Sequence, residues 1–237
     1  MNLRSSALTD IGRVRPENED SHLCDDEIRI YAVADGIGGL PAGADASRTA
    51  ITALIDWFSR QPAGGPYDYT AGLTEINEKV FLLGRVLSPR LGIGTTLTIA
   101  HFDTDHLVVI HVGDTSMYRL RDRQLEALTL EHNVENEMRQ RAARGEPAML
   151  LTENRQALTR CVGQPPPLEG DIHAHPVHRG DRYLLCSDGV TRYVTPAEVE
   201  RLLAAAATPN DICRTLVDLA NERGGVDNST AVAIFLD

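Results

Sequence analysis

Residues 28–36 read IRIYAVADG, an apolar run that ends in an aspartate and a glycine. The β-branched and aromatic residues of Ile28–Ala34 predict a β-strand, and Asp35-Gly36 marks its end. The same combination occurs three more times. Gly113-Asp114 follows VVIHV, Asp188-Gly189 follows YLLCS, and Gly225-Val226-Asp227-Asn228 precedes STAVAIF. Four predicted strands therefore carry a carboxylate at one end.

The repeated carboxylate points to a cation. Aspartate and glycine are common turn residues, so a turn explains any single pair of this kind. Turns also accept asparagine, serine and proline, yet a carboxylate stands at all four strand ends. Two unit charges about 4 Å apart repel by roughly 4 kcal/mol at an effective dielectric of about 20. If these ends converge, their oxygen ligands favour Mg²⁺ or Mn²⁺ over zinc or copper.

The remaining segments mix strands with helices. Apolar and β-branched residues predict further strands at Thr95–Phe102, His106–Val112, Ser116–Arg121, Arg182–Cys186 and Ser229–Leu236. Helical spacing predicts helices at Ala44–Ser59, Thr70–Leu87, His132–Arg144, Thr195–Ala207 and Asn210–Arg223. We expect Pro196 at N1 of the fourth helix and Asn210 as the N-cap of the fifth.

The order of these elements predicts an α+β fold with largely antiparallel sheets. Two segments read as loops, QPAGGP at residues 61–66 and GQPPPLEG at residues 163–170. Both are too short to be convincing interdomain linkers. Residues 1–237 are therefore expected to form a single domain.

Composition argues against some classes of function and location. The formal net charge of −11 argues against a nucleic-acid partner, which requires clustered lysine and arginine. Four scattered cysteines form no C-x-x-C pair and are interpreted as reduced thiols. The opening residues MNLRSS contain no apolar signal core, and no run approaches the roughly 18 apolar residues of a membrane span. We expect a cytoplasmic protein that does not insert into membranes.

Residues 9–20 read TDIGRVRPENED, and further short motifs follow in order. These are Asp35-Gly36-Ile37-Gly38-Gly39, Gly94-Thr95-Thr96, Gly113-Asp114, Leu158-Thr159-Arg160, Ser187-Asp188-Gly189 and Asp227-Asn228. The ordered set resembles the type 2C (PPM) metal-dependent protein phosphatases along essentially the whole chain. The compact size and the Asn-Glu-Asp opening resemble the bacterial branch.

The resemblance implies a fold and a set of roles. The fold would be two antiparallel β-sheets packed as a central sandwich and flanked by helix pairs, a four-layer α-β-β-α arrangement. Residues 133–155 would correspond to a flap. Arg15, Asp20 and Asp35 would be catalytic, with Arg15 gripping the substrate phosphate. The implied metal ligands are Asp20, Asp35, Gly36 through its carbonyl, Asp114, Asp188 and Asp227.

The implied chemistry is hydrolysis of phosphoserine and phosphothreonine on proteins. Asp35 would bridge two Mg²⁺ or Mn²⁺ ions, and Asp114 would help to bind a third, weaker ion. Two metals about 4 Å apart lower the pKa of a bridging water, and the resulting hydroxide would attack phosphorus. The implied partners are phosphorylated proteins, including a bacterial Ser/Thr kinase that the enzyme opposes. A monomer is the default expectation.

Three positions depart from the family pattern. Ile37 stands where many eukaryotic members have a histidine proposed as general acid and many bacterial members a methionine. Isoleucine cannot donate a proton, and a metal-bound water is our interpretation of the missing acid. Thr115-Ser116 replaces the usual Ser-Arg, and Glu131-His132 stands where an Asp-His pair is common.

Three alternatives remain open. Cys186 and Arg192 fit the Cys-x5-Arg signature of thiol phosphatases, although Asp188 between them would repel a phosphate dianion. A non-catalytic relative of the family is a second alternative, although such proteins usually lose metal aspartates. His173 and His175 would face one side of an extended segment, as a metal pair would, but a surface strand is the interpretation that we prefer.

Overall fold

The structure, a computed structural model, describes residues 2–62, 64–147 and 154–237. These residues contain ten β-strands and six α-helices. The strands are β1 (Leu3–Asp10), β2 (Asp20–Asp25), β3 (Ile30–Asp35), β4 (Leu97–Phe102), β5 (His106–Val112), β6 (Ser116–Arg121), β7 (Gln124–Ala127), β8 (Asp171–Pro176), β9 (Arg182–Cys186) and β10 (Ser229–Leu236). The helices are α1 (Gly43–Ser59), α2 (Tyr69–Leu87), α3 (Val134–Ala143), α4 (Asp188–Thr191), α5 (Pro196–Ala205) and α6 (Pro209–Glu222).

The strands form two five-stranded sheets. The first sheet has the order β1-β10-β9-β6-β7, and the second has the order β2-β3-β4-β5-β8. Every neighbouring pair is antiparallel. The predicted antiparallel α+β architecture is therefore confirmed.

Strand β3 shows why the sheets stack in layers. Its alternate side chains enter different cores, because successive residues of a strand point to opposite faces. Tyr31 and Val33 pack between the two sheets, whereas Ala32 and Ala34 pack in the core beneath α1 and α2. A third core joins the first sheet to α5 and α6. The result is the expected four-layer order of helices, sheet, sheet and helices.

The helix starts follow capping chemistry. Thr195 caps α5 in a capping box with Glu198, and Pro196 stands in the first turn as predicted. The prediction that Asn210 caps α6 is wrong. Thr208 is the N-cap, because its hydroxyl accepts from the backbone N–H of Asp211 at 3.2 Å while the Asp211 carboxylate accepts from the Thr208 N–H at 2.9 Å.

The sequence prediction missed β1, β2 and β7. The strands β1 and β2 are edge strands and are only partly buried, so they lack the continuous apolar run that identifies β3. The predicted flap contains α3, which has no buried side chain. Residues 148–153 of that flap lie outside the described residues. Within the part of the chain that is described, no helix has the length and apolar character to cross a membrane.

Candidate active site

Five aspartates meet at one end of the sandwich. Asp20 opens β2 and Asp35 closes β3, and the strand register places them directly opposite each other. The other sheet contributes two more. Asp188 follows β9, and Asp227 precedes β10, the strand that pairs with β9 in the first sheet. Asp114 lies in the connection from β5 to β6, which passes from the second sheet to the first. The strand ends that carry carboxylates therefore converge.

Asp20 is held by hydroxyl groups from the opposite sheet. The Ser187 and Thr230 hydroxyls donate to Asp20 Oδ2 at 2.8 and 2.6 Å. The other oxygen, Asp20 Oδ1, is buried and has no hydrogen-bond partner among the described residues. A buried acceptor without a donor is costly, so this oxygen is suited to a ligand that the protein itself does not provide.

Two threonines fix the backbone of Asp35. The Asp35 N–H donates to Thr96 Oγ1 at 2.9 Å, and the Thr95 hydroxyl donates to the Asp35 carbonyl at 2.8 Å. The Thr96 hydroxyl lies 2.6 Å from that of Thr115, next to Asp114. The predicted Gly-Thr-Thr motif thus fixes the main chain of Asp35 and contacts the residue that follows Asp114.

Asn228 holds the N-terminal motif against the start of β10. Its side-chain oxygen accepts from the Glu19 N–H at 2.8 Å. Its side-chain nitrogen donates to the carbonyl oxygens of Ile11 at 2.9 Å and Glu17 at 3.0 Å. A Cβ at Gly189 would lie 1.9 Å from the Asn228 carbonyl oxygen, so only glycine fits there. Two motifs far apart in sequence are in this way joined tightly.

Two guanidinium groups pair with the carboxylates. Arg15 Nη2 donates to Asp227 Oδ2 at 2.8 Å, and Gly38 leaves space for that guanidinium because a Cβ would lie 3.1 Å from its nitrogens. Arg192 forms an ion pair with Asp188, and its Nη1 lies 3.7 Å from the same Asp227 oxygen. These positive charges offset part of the negative charge of the cluster.

The compensation is incomplete, and the pKa values of the carboxyl groups are raised as a result. Burial raises the pKa of Asp20 to about 6, and burial together with the Glu131 charge raises the pKa of Asp114 to about 6. Burial and the Asp114 charge raise the pKa of Asp188 to about 7. The pKa of Asp35 lies well above its ordinary value because of burial and the four neighbouring aspartates. The cluster therefore still attracts a positive charge.

The residues fit divalent cations, although they do not form a closed ligand set. Among the described residues, no group of three His, Cys, Asp or Glu side chains stands in a geometry that could hold a metal ion. One oxygen of Asp188 and one of Asp227 are paired with arginines in this structure. The unpartnered Asp20 oxygen and the hard oxygen donors suit Mg²⁺ or Mn²⁺.

Four of the five aspartates, all except the buried Asp20, line an open cleft of about 650 Å³. Its lining includes Arg15, Arg192, Ile37 and Leu158 besides the aspartates. Cys186 does not line it. That thiol is fully buried in the core beneath the helices, and burial raises its pKa. A buried thiol of this kind cannot serve as an exposed thiolate nucleophile, which contradicts the Cys-x5-Arg alternative.

Other residues of the sequence motifs lie beside the cleft or away from it. The Glu19 carboxylate lies 4.0 Å from Arg15 Nη1. His132 is buried and accepts from the Gly113 N–H at 3.2 Å, which supports the loop that carries Asp114. His173 and His175 lie in β8, an edge strand as interpreted.

Sequence reasoning did not mark three residues that hold the site. Ser187 and Thr230 bind Asp20, and Arg192 binds Asp188. Ser187 stands beside Asp188 in the sequence, which was the available signal. The Cys-x5-Arg pattern contains Arg192, but for a different chemistry.

Comparison with known proteins identifies the family. The sequence matches protein phosphatase 2C over residues 15–221. It is 30% identical over 237 residues to the serine/threonine phosphatase stp of Listeria monocytogenes serotype 4b, covering 97% of this chain and 94% of that protein. The fold and the cleft define a phosphatase of the α+β sandwich class, a hydrolase. The chain belongs to the protein phosphatase 2C family.

Solved structures agree in fold. PppA, described as a key regulatory component of T6SS in Pseudomonas aeruginosa, has a TM-score of 0.86 and 30% identity, covering 100% of this chain and 99% of that one. The catalytic domain of the serine/threonine phosphatase PstP, solved with two manganese ions, has a TM-score of 0.80 and 31% identity, covering 99% of each chain. Metal dependence is a property of this family.

Proposed function

We propose that residues 1–237 form a single catalytic domain that hydrolyses phosphoserine and phosphothreonine on other proteins with Mg²⁺ or Mn²⁺. The convergence of five aspartates is the observation that carries the proposal: four of them line one cleft with Arg15, and Asp20 lies opposite Asp35. The five aspartates do not lie at separate places in the fold. The charges of the other four aspartates act on Asp35 and raise its pKa, so all five are close together.

The carboxylates would hold the ions. Asp35, with the Gly36 carbonyl, would hold two core ions together with Asp20, Asp188 and Asp227, whose charges all act on Asp35. Asp114 and Asp188 would hold a third. Bound divalent ions would lower the pKa of a water molecule and offset negative charge on the phosphoryl group.

Arg15 would bind the substrate phosphate. Its guanidinium already contacts an anionic oxygen in the cleft, and its planar fork matches the geometry of phosphate. Ile37 lines the cleft and cannot protonate the leaving alkoxide. The chain's own residues therefore bind and orient the phosphate, while the proton for the leaving group comes from water.

The biological setting follows from the relatives. We expect phosphorylated proteins as substrates and a bacterial Ser/Thr kinase as the opposing enzyme. A cytoplasmic monomer is the simplest arrangement. The similarity to PppA, described as a regulatory component, supports a role in regulation.

Asp188→Ala tests the proposal. We expect this variant to release no phosphate from a phosphoserine peptide with Mn²⁺, and to lose the rise in melting temperature that Mn²⁺ gives the wild type. The control is Asp56→Ala, because Asp56 is an exposed aspartate of α1 that pairs with Lys79. Wild-type turnover in Asp188→Ala would contradict the assignment. Wild-type turnover no higher than that of Asp35→Asn would favour a non-catalytic protein.

A further inference from the structure

Arg192 occupies a position that the metal site alone does not explain. It comes directly after the short helix α4, which follows β9, and its side chain lines the cleft. The side chain is 55% exposed, although it pairs with the buried Asp188. Arg192 is therefore accessible to a ligand that enters the cleft.

The two arginines of the cleft converge on one atom. Asp227 Oδ2 accepts from Arg15 Nη2 at 2.8 Å, and Arg192 Nη1 lies 3.7 Å away from it. The shared oxygen shows that both guanidinium groups reach a single anionic group. A guanidinium carries five N–H donors in a fixed fork, so a contact with one carboxylate leaves donors for another acceptor.

We propose that Arg192 is a second phosphate-binding residue, which contacts the phosphoryl group of the substrate together with Arg15. This inference rests on the proposed function. A phosphate monoester offers several equivalent oxygens, so two converging guanidinium groups can each bind one of them. Cations at Asp188 and Asp227 would neutralise the carboxylates that hold Arg192 in this structure and leave its guanidinium free to turn to the substrate.

Loss of the Arg192 side chain should affect the affinity for phosphate and the affinity for cations differently. Loss of Arg192 weakens the binding of phosphate, because a charged hydrogen-bond donor is removed. The same loss does not weaken the binding of cations, because a positive group that competes for Asp188 and Asp227 is removed with it. A merely structural arginine, needed to keep the carboxylates in place, would weaken both.

The experiment compares Arg192→Met, Arg192→Lys and a control, Arg201→Met, in the full chain. Arg201 is an exposed arginine of α5 outside the cleft lining, so its loss changes the net charge equally. Calorimetric titration of the Mn²⁺-loaded protein with inorganic phosphate gives the phosphate dissociation constant. Titration with Mn²⁺ alone gives the cation affinity. Phosphopeptide turnover gives KM and kcat, and circular dichroism confirms folding.

We expect Arg192→Met to raise the dissociation constant of inorganic phosphate and the KM for the phosphopeptide by about 10- to 100-fold, the usual effect of a lost charged hydrogen bond. Its Mn²⁺ affinity should equal or exceed that of the wild type. Arg192→Lys should lie between, because it keeps the charge without the fork. Arg201→Met should match the wild type in every measurement.

Either of two results would overturn the inference. One is a phosphate dissociation constant of Arg192→Met within about twofold of the control, which is less than a single hydrogen bond contributes. The other is a weakened Mn²⁺ affinity of the same variant. Failure of the proposed function is separate, because it would appear as a wild type that binds phosphate but releases none from the peptide.

Discussion

The metal-free protein is expected to become more stable as the pH falls from about 7.5 to about 6.5, where most proteins change little. Burial raises the pKa of Asp188 to about 7, and the pKa of Asp35 lies well above its ordinary value because of burial and neighbouring charges. In the unfolded chain an aspartate titrates near 3.9. The native protein therefore binds protons in this interval that the unfolded chain does not bind.

The sign and the size follow from linkage. Because the folded pKa values are raised, the stability that protonation confers is present at low pH and is lost as the pH rises through them. Each additional proton is worth about 1.4 kcal/mol per pH unit. If the native cluster holds on average one or two more protons than the unfolded chain over this interval, the free energy of unfolding rises by about 1–3 kcal/mol on acidification.

At lower pH, buried histidines act in the opposite direction. Burial, together with the charge of His132, lowers the pKa of His111 to about 3. Below about pH 6.5 the unfolded chain therefore binds a proton on this histidine that the native protein does not bind. Stability that is present above the unfolded pKa is lost as the pH falls towards the folded one. The stability of the metal-free protein should therefore pass through a maximum in the mildly acidic range.

Urea denaturation in EDTA at the two pH values measures the effect. The Asp188→Asn variant should lose about 0.7 kcal/mol of the difference, because a carboxyl with a pKa of about 7 is on average half protonated over this interval. Asp56→Asn, an exposed control, should keep all of it. In Mn²⁺ the slope should reverse, because cations bind deprotonated ligands. The reasoning would be refuted if the metal-free protein had a free energy of unfolding at the higher pH that equalled or exceeded its value at the lower pH.

Three further outcomes are expected. Gly189→Ala should lower the free energy of unfolding by about 1–3 kcal/mol or more in urea titrations, because the new Cβ meets the Asn228 carbonyl oxygen at 1.9 Å. His132→Leu should cost about 1–3 kcal/mol and lower kcat, because the Gly113 N–H loses its acceptor, whereas His132→Asn, which keeps an acceptor, should recover part of both losses. Iodoacetamide should leave turnover of the folded protein intact while EDTA abolishes it, since Cys186 is buried with a raised thiol pKa; inactivation by alkylation of Cys186 would contradict this.

The carboxylate positions could be predicted because the strands before and after them are buried on both faces. In β3, residues pointing to either side enter an apolar core, so the run IYAVA is unbroken and its end is sharp. The strand β10 behaves alike, with Val232 between the sheets and Ala233 under the helices. Strong local signals of this kind need no knowledge of the tertiary structure.

The contacts between those strand ends could not be predicted in the same way. The strand β1 pairs with β10 across almost the full length of the chain, and its polar residues are tolerated because it is an edge strand. Thr230 reaches Asp20 only because the sheets stack face to face. The spacing of residues in the sequence does not reveal that Thr230 and Asp20 are in contact. The same holds for the contact between Arg192 and Asp227.

The charge of the site connects stability with cation binding. The cluster of five aspartates is paired with two arginines, which leaves three negative charges without a partner if every carboxyl is ionised. That excess raises the pKa values and costs the metal-free protein stability. Two divalent cations would bring four positive charges, enough to offset the excess and release the guanidinium groups. The repulsion that weakens the metal-free fold is thus the same free energy that favours cations, and the ion pairs of Arg15 and Arg192 offset part of it in the metal-free protein.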